Sequence, residues 1–531
     1  MHDSAPSPSL ADVSSAHSPS NEPARAGLWA VLLCSIFAWA PTIYPGYWQT
    51  LDGFAPLFNA AKLNEIANVA TWPDVWRGSG WGAYLLAQPF LAFGLEPVVA
   101  VRAAFALAIV LGGLGVYSWL HPRLGDRSAG LAGVIYMLMP TFLATIYVRG
   151  SMTDAFVLAL LPLTLAGLTI YVEQRSIVAA AVTVVAILWL WRTQAGLAAL
   201  ASVLLVLYAM LVERSWLAAL IVIVTSVAAL ISLTPLLGIT APPTAIFADH
   251  FVDLFQLLRP AWQVAPSIAG WQDEFPFQVG VVVFAFAVAA GWGLVVLRPH
   301  LSAATRRLLI FCVFGALLLI VLTLGVSEPL WRFSGAGRLL TYPWQIGLLA
   351  APLLACLAGS LPAVIPVLRQ PAYWIGTVTL VVVASSPFLV PVFTQVNPPS
   401  QPLAVFGDNQ LIVLAADLLE QDQPHQATLT VTWQVLQPLD FDDNLFFQAV
   451  TQDGSPQVVA QIDAQPLEGR PATGWQPGEI FTASYSLPLP NAPTDTTGNP
   501  LEYHFGLYNW SNGVRRIVDG GLTDKMVFYG E

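Results

Sequence analysis

Four polar stretches interrupt a chain that is otherwise strongly apolar, and each carries side chains suited to chemistry. The first runs Tyr47-Trp48-Gln49-Thr50-Leu51-Asp52, a few residues after a long apolar segment. A carboxylate beside a low-dielectric wall acquires a raised pKa and can act as a general base. The same Asp52 would also suit the N-cap of a following helix, because Asp accepts from the free N–H groups of a first turn. The second stretch holds Arg149 and Asp154 in Tyr147-Val148-Arg149-Gly150-Ser151-Met152-Thr153-Asp154. Arginine presents a planar fork of donors that matches phosphate, although an Arg–Asp pair could equally pin a helical hairpin.

The third stretch places Arg332 and Arg338 around a glycine-containing turn, just ahead of Tyr342-Pro343-Trp344. Two arginines there would hold a lipid-linked phosphate or snorkel to lipid headgroups. The fourth contains Trp72, Trp76, Arg77 and Trp81, an aromatic and cationic set able to stack on a sugar ring or to anchor at a membrane interface. Glu65 and Asp74 are alternative carboxylates, while Asp249, Asp253, Asp273 and Glu274 read as solvated. His121 and His250 lack the paired spacing of a zinc site. No P-loop, dinucleotide fingerprint or G-x-S-x-G is present. The three cysteines, Cys34, Cys312 and Cys356, fall in apolar segments and suggest packing rather than a disulfide framework.

The elements that must position these groups follow from composition. Hydrophobic residues make up 56% of the chain, charged residues 10%, and the mean hydropathy is +0.65. A water-soluble domain carries roughly a quarter charged residues, so lipid is the main solvent here. Apolar runs long enough to cross a core of about 30 Å must be helical, because lipid offers no partner to a backbone N–H or C=O. The runs predict about eleven transmembrane helices, near 27–45, 95–119, 128–147, 155–172, 177–191, 195–212, 215–238, 278–297, 308–326, 343–366 and 371–393. The count depends on Arg192-Thr193-Gln194 being a true turn.

Residues 1–26, rich in Ser, Pro and Ala, read as a disordered cytoplasmic tail; 27–395 form the membrane domain, with long outer loops at 46–94 and 239–277. Within the first loop, Phe54, Leu57, Phe58, Ala61, Ile66 and Val69 have the spacing of an amphipathic helix lying on the membrane. In the second, Trp262, Trp271 and Phe275 favour the interface. The short connections place Arg25, Arg123, Arg127, Arg175, Arg214, Arg298, Arg306, Arg307 and Arg369 on one side, which the positive-inside rule assigns to the cytoplasm. Residues 396–531 then lie outside.

That last segment holds 16 acidic and 4 basic residues, and the low isoelectric point belongs to it. Such acidity argues against nucleic acid as a partner. Seven alternating strand-like runs, from Leu411 to Gly530, are separated in several places by turn signals such as Asp453-Gly454, Pro477-Gly478 and Asn512-Gly513, and predict a β-sandwich. Trp433 belongs in its core, whereas Trp475 and Trp510, near turns, are expected at its surface.

The stretches Leu51-Asp52-Gly53-Phe54, Tyr147-Val148-Arg149-Gly150 and Thr341-Tyr342-Pro343-Trp344, in this order around apolar spans, resemble the GT-C superfamily of integral membrane glycosyltransferases. The resemblance is to bacterial membrane proteins labelled 6-pyruvoyl-tetrahydropterin synthase-related. The tail is similar to a β-sandwich appended to multispan glycosyltransferases. This resemblance implies transfer of a sugar from a polyprenyl-phosphate donor to a glycan or lipid acceptor of the cell envelope, on the outer face of a bacterial plasma membrane. Asp52 would be the base, and Arg149, Arg332 and Arg338 would meet the phosphate, with Asp154, Trp76 and Arg77 as further substrate contacts. No cofactor is implied, and a divalent metal is left open. In this chain the first-loop Asp has no acidic neighbour before Glu65, and Phe54-Ala55-Pro56-Leu57 replace the polar residues that often follow it. The alternative is a non-catalytic protein of the same fold, a glycolipid flippase or binding protein or an envelope assembly factor.

Overall fold

The computed structural model describes residues 25–44, 46–57, 59–61, 63, 80–233, 247–264, 267–268, 270–296, 301–394, 402–407, 410–422, 425–437, 439, 441–451, 457–475, 478–489, 501–518 and 523–529. Among them, eight helical segments are long and apolar enough to cross a membrane: α1 (Ala26–Ile43), α2 (Pro97–Leu124), α3 (Asp126–Arg149), α4 (Met152–Gln174), α7 (Trp216–Leu233), α9 (Ala303–Thr323), α10 (Pro343–Val364) and α11 (Pro371–Leu389). Three shorter apolar helices complete the series: α5 (Ile177–Thr193), α6 (Ala195–Leu211) and α8 (Val281–Val296). These eleven helices match the eleven apolar runs, and the chain is a multi-pass membrane protein. Gln194, in an extended conformation between α5 and α6, makes the Arg192-Thr193-Gln194 turn real.

Helices α3 and α10 are buried almost throughout, whereas α11 and α7 leave most of their apolar side chains outward. That outward surface, including Ile223, Phe314, Leu318 and Val383, suits lipid. The connections sort onto two faces. On one face Asp126 accepts from the Gly27 N–H at 2.6 Å, Arg123 pairs with Glu173 and Glu213, and Arg307 donates to the Val212 carbonyl at 3.2 Å. There too the Trp374 indole donates to the Arg127 carbonyl at 2.9 Å. The described arginine-bearing short connections therefore share one face, while Arg298 lies outside the described residues.

On the other face the chain leaving α1 pairs with the chain leaving α11. β1 (Tyr47–Trp48) runs antiparallel to β2 (Phe393–Thr394). Beyond β2 lies a sandwich of two four-stranded antiparallel sheets, β3–β4–β5–β8 and β10–β9–β6–β7. Its strands are β3 (Ala404–Phe406), β4 (Leu411–Asp422), β5 (His425–Val435), β6 (Asp443–Val450), β7 (Val458–Ala464), β8 (Ile480–Pro488), β9 (Glu502–Asn509) and β10 (Met526–Tyr529). The alternation along β5 buries Ala427, Leu429, Val431 and Trp433 and turns Thr428, Thr430 and Thr432 outward.

Two expectations change. Trp475 is 1% exposed, its ring set against Phe481 in the sandwich core; only Trp510 is exposed. A short run between turn-forming prolines and glycines says nothing of the side on which its indole falls. The start of the first-loop helix (55–57, 59–61 and 63 are helical) buries Phe54 and Leu57, with Ala60 and Leu63, in the protein core rather than in the interface, while Phe58, Ile66 and Val69 lie outside the described residues. An apolar stripe is equally served by protein or lipid, and here α-helical neighbours reach it first. The sandwich packs on the membrane domain: Val405, Ile412 and Leu436 belong to the same apolar cluster as the membrane helices.

Candidate active site

Asp52 sits where three chain segments meet beneath the sandwich. The peptide N–H groups of Leu51 and Asp52 donate to the carbonyls of Val148 and Arg149 at 3.0 and 2.9 Å. The Trp48 indole donates to the Ile146 carbonyl at 2.9 Å, and the Tyr147 hydroxyl to the Ala38 carbonyl at 2.6 Å. These bonds fix the Asp52 loop to the end of α3. That end is wound as a π-helix over Thr145–Arg149, a wider turn that recurs at functional sites. Gly150 terminates it with φ +71°, and a Cβ there would lie 2.4 Å from the Thr50 hydroxyl oxygen. Both the left-handed backbone and the close approach of Thr50 require glycine.

Ser151 then caps α4 by accepting from the Asp154 N–H at 3.4 Å. The cap places Asp154 on the first turn, fully buried, 2.5 Å from the Arg149 guanidinium. Arg149 lies over the Trp344 ring at 4.6 Å and the Phe275 ring at 5.7 Å. A desolvated cation on an aromatic face is held by about 2 kcal/mol. Trp344 is itself stacked on Tyr342, and Gln345 locks that Tyr-Pro-Trp turn by accepting from the N–H groups of Thr341 and Tyr342 at 3.1 Å each.

Asp52 as a whole residue is half-buried. Its pKa is pushed up to about 7 by burial; the Arg149 charge pulls it down and the Asp154 charge pushes it up. Among the described residues no N–H donates to the Asp52 carboxylate, so the side chain does not cap the helix that follows. Two phenols stand close enough to feel its charge. Burial raises the pKa of Tyr47 and Tyr84, and the Asp52 carboxylate adds to both shifts. Asn59 donates to the Tyr84 hydroxyl at 3.0 Å. Asp52 is thus a base of near-neutral pKa next to a fixed cation and phenols that stay protonated.

Above the loop, the sandwich closes in. A Cβ on Gly53 would fall 1.7 Å from the Leu436 carbonyl oxygen, so the chain after β5 rests directly on the residue next to Asp52. The second long loop closes another side. Asp273, expected in solvent, is buried and accepts from the Ser267 hydroxyl and from the Ile268 and Phe275 N–H groups at 2.7, 3.1 and 2.8 Å. Burial still holds its pKa above the usual aspartate value. Ser267 in turn meets His250 Nδ1 at 3.0 Å. The bonded Asp273 turns Phe275 inward against Trp344, 4.6 Å between centroids, so Phe275 is not an interfacial side chain. Asp249 and Asp253 are exposed, as expected.

The structure brings Asp52, Arg149 and Asp154 together. Arg332 is exposed on the short helix Glu328–Ser334 and pairs with Glu328, and Arg338 is exposed in the turn that follows. Trp76 and Arg77 lie outside the described residues, as do Trp72, Asp74 and Glu65. Trp344, read from sequence only as part of its motif, Phe275, read as interfacial, and Tyr47 and Tyr84, not read as site residues, join the site. The aromatic run Tyr47-Trp48 just before Asp52 was the available signal for one of them. Among the described residues no three His, Cys, Asp or Glu side chains cluster to hold a metal.

No family model matches the chain, and no curated protein does. Among solved structures it is similar to the arabinofuranosyltransferase AftD from Mycobacteria, determined by cryo-EM, with 21% identity and a TM-score of 0.43. The match covers 69% of this chain but 28% of that one, so the chain spans little more than a quarter of the length of the protein it resembles.

Proposed function

We propose that the chain is a membrane glycosyltransferase that moves a sugar from a polyprenyl-phosphate donor to a cell-envelope acceptor, at the extracytoplasmic face that carries the sandwich. The observation that carries this reading is the Asp52 carboxyl, raised to about 7 and bonded through its backbone to the Arg149 loop. A base poised near the working pH gives the best compromise between being ionised and holding a proton.

In this reading the acceptor hydroxyl attacks the anomeric carbon and passes its proton to the Asp52 carboxylate. The bond from that carbon to the donor phosphate breaks, and the phosphate leaves with the electron pair. Arg149, held rigid by Asp154 and Trp344, faces the growing negative charge. A preformed cation in a partly dry site stabilises such charge without reorganising. The aromatic walls from Phe275 and Trp344 and the Leu436 roof exclude water that would otherwise hydrolyse the donor.

The test is transfer of labelled sugar from a panel of polyprenyl-phosphate hexoses and pentoses by purified full-length protein. Asp52→Asn should remove transfer while leaving the protein monodisperse in detergent. Full activity in that variant sinks the assignment of the base.

A further inference from the structure

A second site lies away from Asp52, in the lipid-facing wall. Helices α6 and α9 run antiparallel and splay apart, leaving a groove of about 520 Å³ floored by Ile346 and Leu349 of α10. That volume falls in the range of about 300–1,000 Å³ common for ligand sites. Its walls are aliphatic and phenyl side chains, among them Leu207, Phe311 and Phe314, and the lone polar side chain is Arg307 at one end. From Arg307 to Leu322 the groove follows α9 for about 22 Å at 1.5 Å per residue. A fatty acyl chain fills about half of a 30 Å core, so one chain fits lengthwise.

Charge at the two ends is unequal. Arg307 marks the face opposite the sandwich, where its Nε donates to the Val212 carbonyl. Arg306 and Arg214 are exposed beside it. The acids nearby are engaged elsewhere: Glu213, fully buried, accepts from Arg123, Tyr208 and Thr169, and Glu173 accepts from Arg123. Among the described residues the groove therefore ends in positive charge without an acidic partner, at the helix ends of that face.

We infer that this groove binds one anionic glycerophospholipid, its acyl chain between α6 and α9 and its phosphate against Arg307, Arg306 and Arg214. The inference rests on the membrane fold alone and stands whether or not Asp52 transfers sugar. A basic residue at a membrane surface favours an anionic lipid by about 1 kcal/mol, which is about fivefold in affinity.

The test uses the full-length chain in nanodiscs of dioleoyl phosphatidylglycerol and dioleoyl phosphatidylcholine, with retained lipid counted by native mass spectrometry after detergent extraction. One phosphatidylglycerol should stay with the chain and phosphatidylcholine should not. Arg307→Gln should lower retention about fivefold, and Arg307→Lys, which keeps the charge but not the Nε bond to Val212, should change it less than twofold. Leu207→Trp, a lipid-facing position where a larger side chain fills the groove, should abolish it. Equal retention of both lipids overturns the inference. So does wild-type retention in both Arg307→Gln and Leu207→Trp, and so does one-for-one displacement by undecaprenyl phosphate, which would give the groove to a polyprenyl carrier.

Discussion

Replacing Asp52 by Asn should stabilise the protein at pH 8 while abolishing sugar transfer. The carboxyl titrates near 7 in the fold against an ordinary value of 3.8, because burial disfavours its charged form. Between those two values the folded state holds more protons than the unfolded state, so stability falls as pH rises from about 4 to 7 and is flat beyond. About three pH units at 1.36 kcal/mol each gives an upper bound of about 4 kcal/mol. Asp52 is half-buried as a residue, and solvent screening reduces the figure to about 2 kcal/mol. Asn keeps the shape and loses the charge, so its unfolding midpoint in detergent should vary less between pH 4 and pH 8. It should exceed the parent at pH 8 by about 2 kcal/mol and match it near pH 4. Transfer by the parent should rise with pH through about 7 as the base ionises. Nanoscale fluorimetry across pH with an activity profile reads both. A variant whose unfolding midpoint keeps the parent's pH dependence would refute the reasoning, since another group would then carry that titration.

Other perturbations follow from single contacts. Gly53→Ala forces a Cβ into the Leu436 carbonyl and should loosen the sandwich from the membrane domain, seen as faster proteolysis near residue 395 and at least tenfold less transfer. Trp344→Ala removes the ring under Arg149 and should lower stability by about 3–5 kcal/mol as a large buried truncation, with transfer falling further than Trp374→Ala of similar burial. Glu213→Ala leaves Arg123 with only the partly exposed Glu173 as partner and should cost at most about 3–5 kcal/mol, read as a drop in unfolding midpoint without a change in the pH optimum. Trp510→Ala, at an exposed hairpin tip, should leave stability within about 0.5 kcal/mol and weaken any glycan bound by the isolated sandwich.

Much of the architecture is set by sequence alone, for one reason: lipid accepts no unpaired backbone, so each apolar run had to be a helix. The strands of the tail were legible from alternation over β4 to β10, while the three-residue β3 was too short to show a period. The arginine-bearing connections partition onto one face because chain parity decides it once the Arg192 turn is a turn. Asp52, Arg149 and Asp154 were legible as candidates because charges are rare enough in such a chain to stand out.

Their meeting was decided by tertiary structure. The π-turn at Thr145–Arg149, with Gly150 yielding to Thr50, swings Arg149 over Trp344. A bonded Asp273 pulls Phe275 inward, although both residues have the composition of an exposed loop. Burial of Trp475 and docking of Leu436 on Gly53 depend on which surfaces meet, and no local period encodes that. Sequence determined what each segment must be in lipid or in a sheet. The near-neutral base exists only because packing of distant segments removes water from around Asp52, and desolvation is a property of neighbours rather than of spacing.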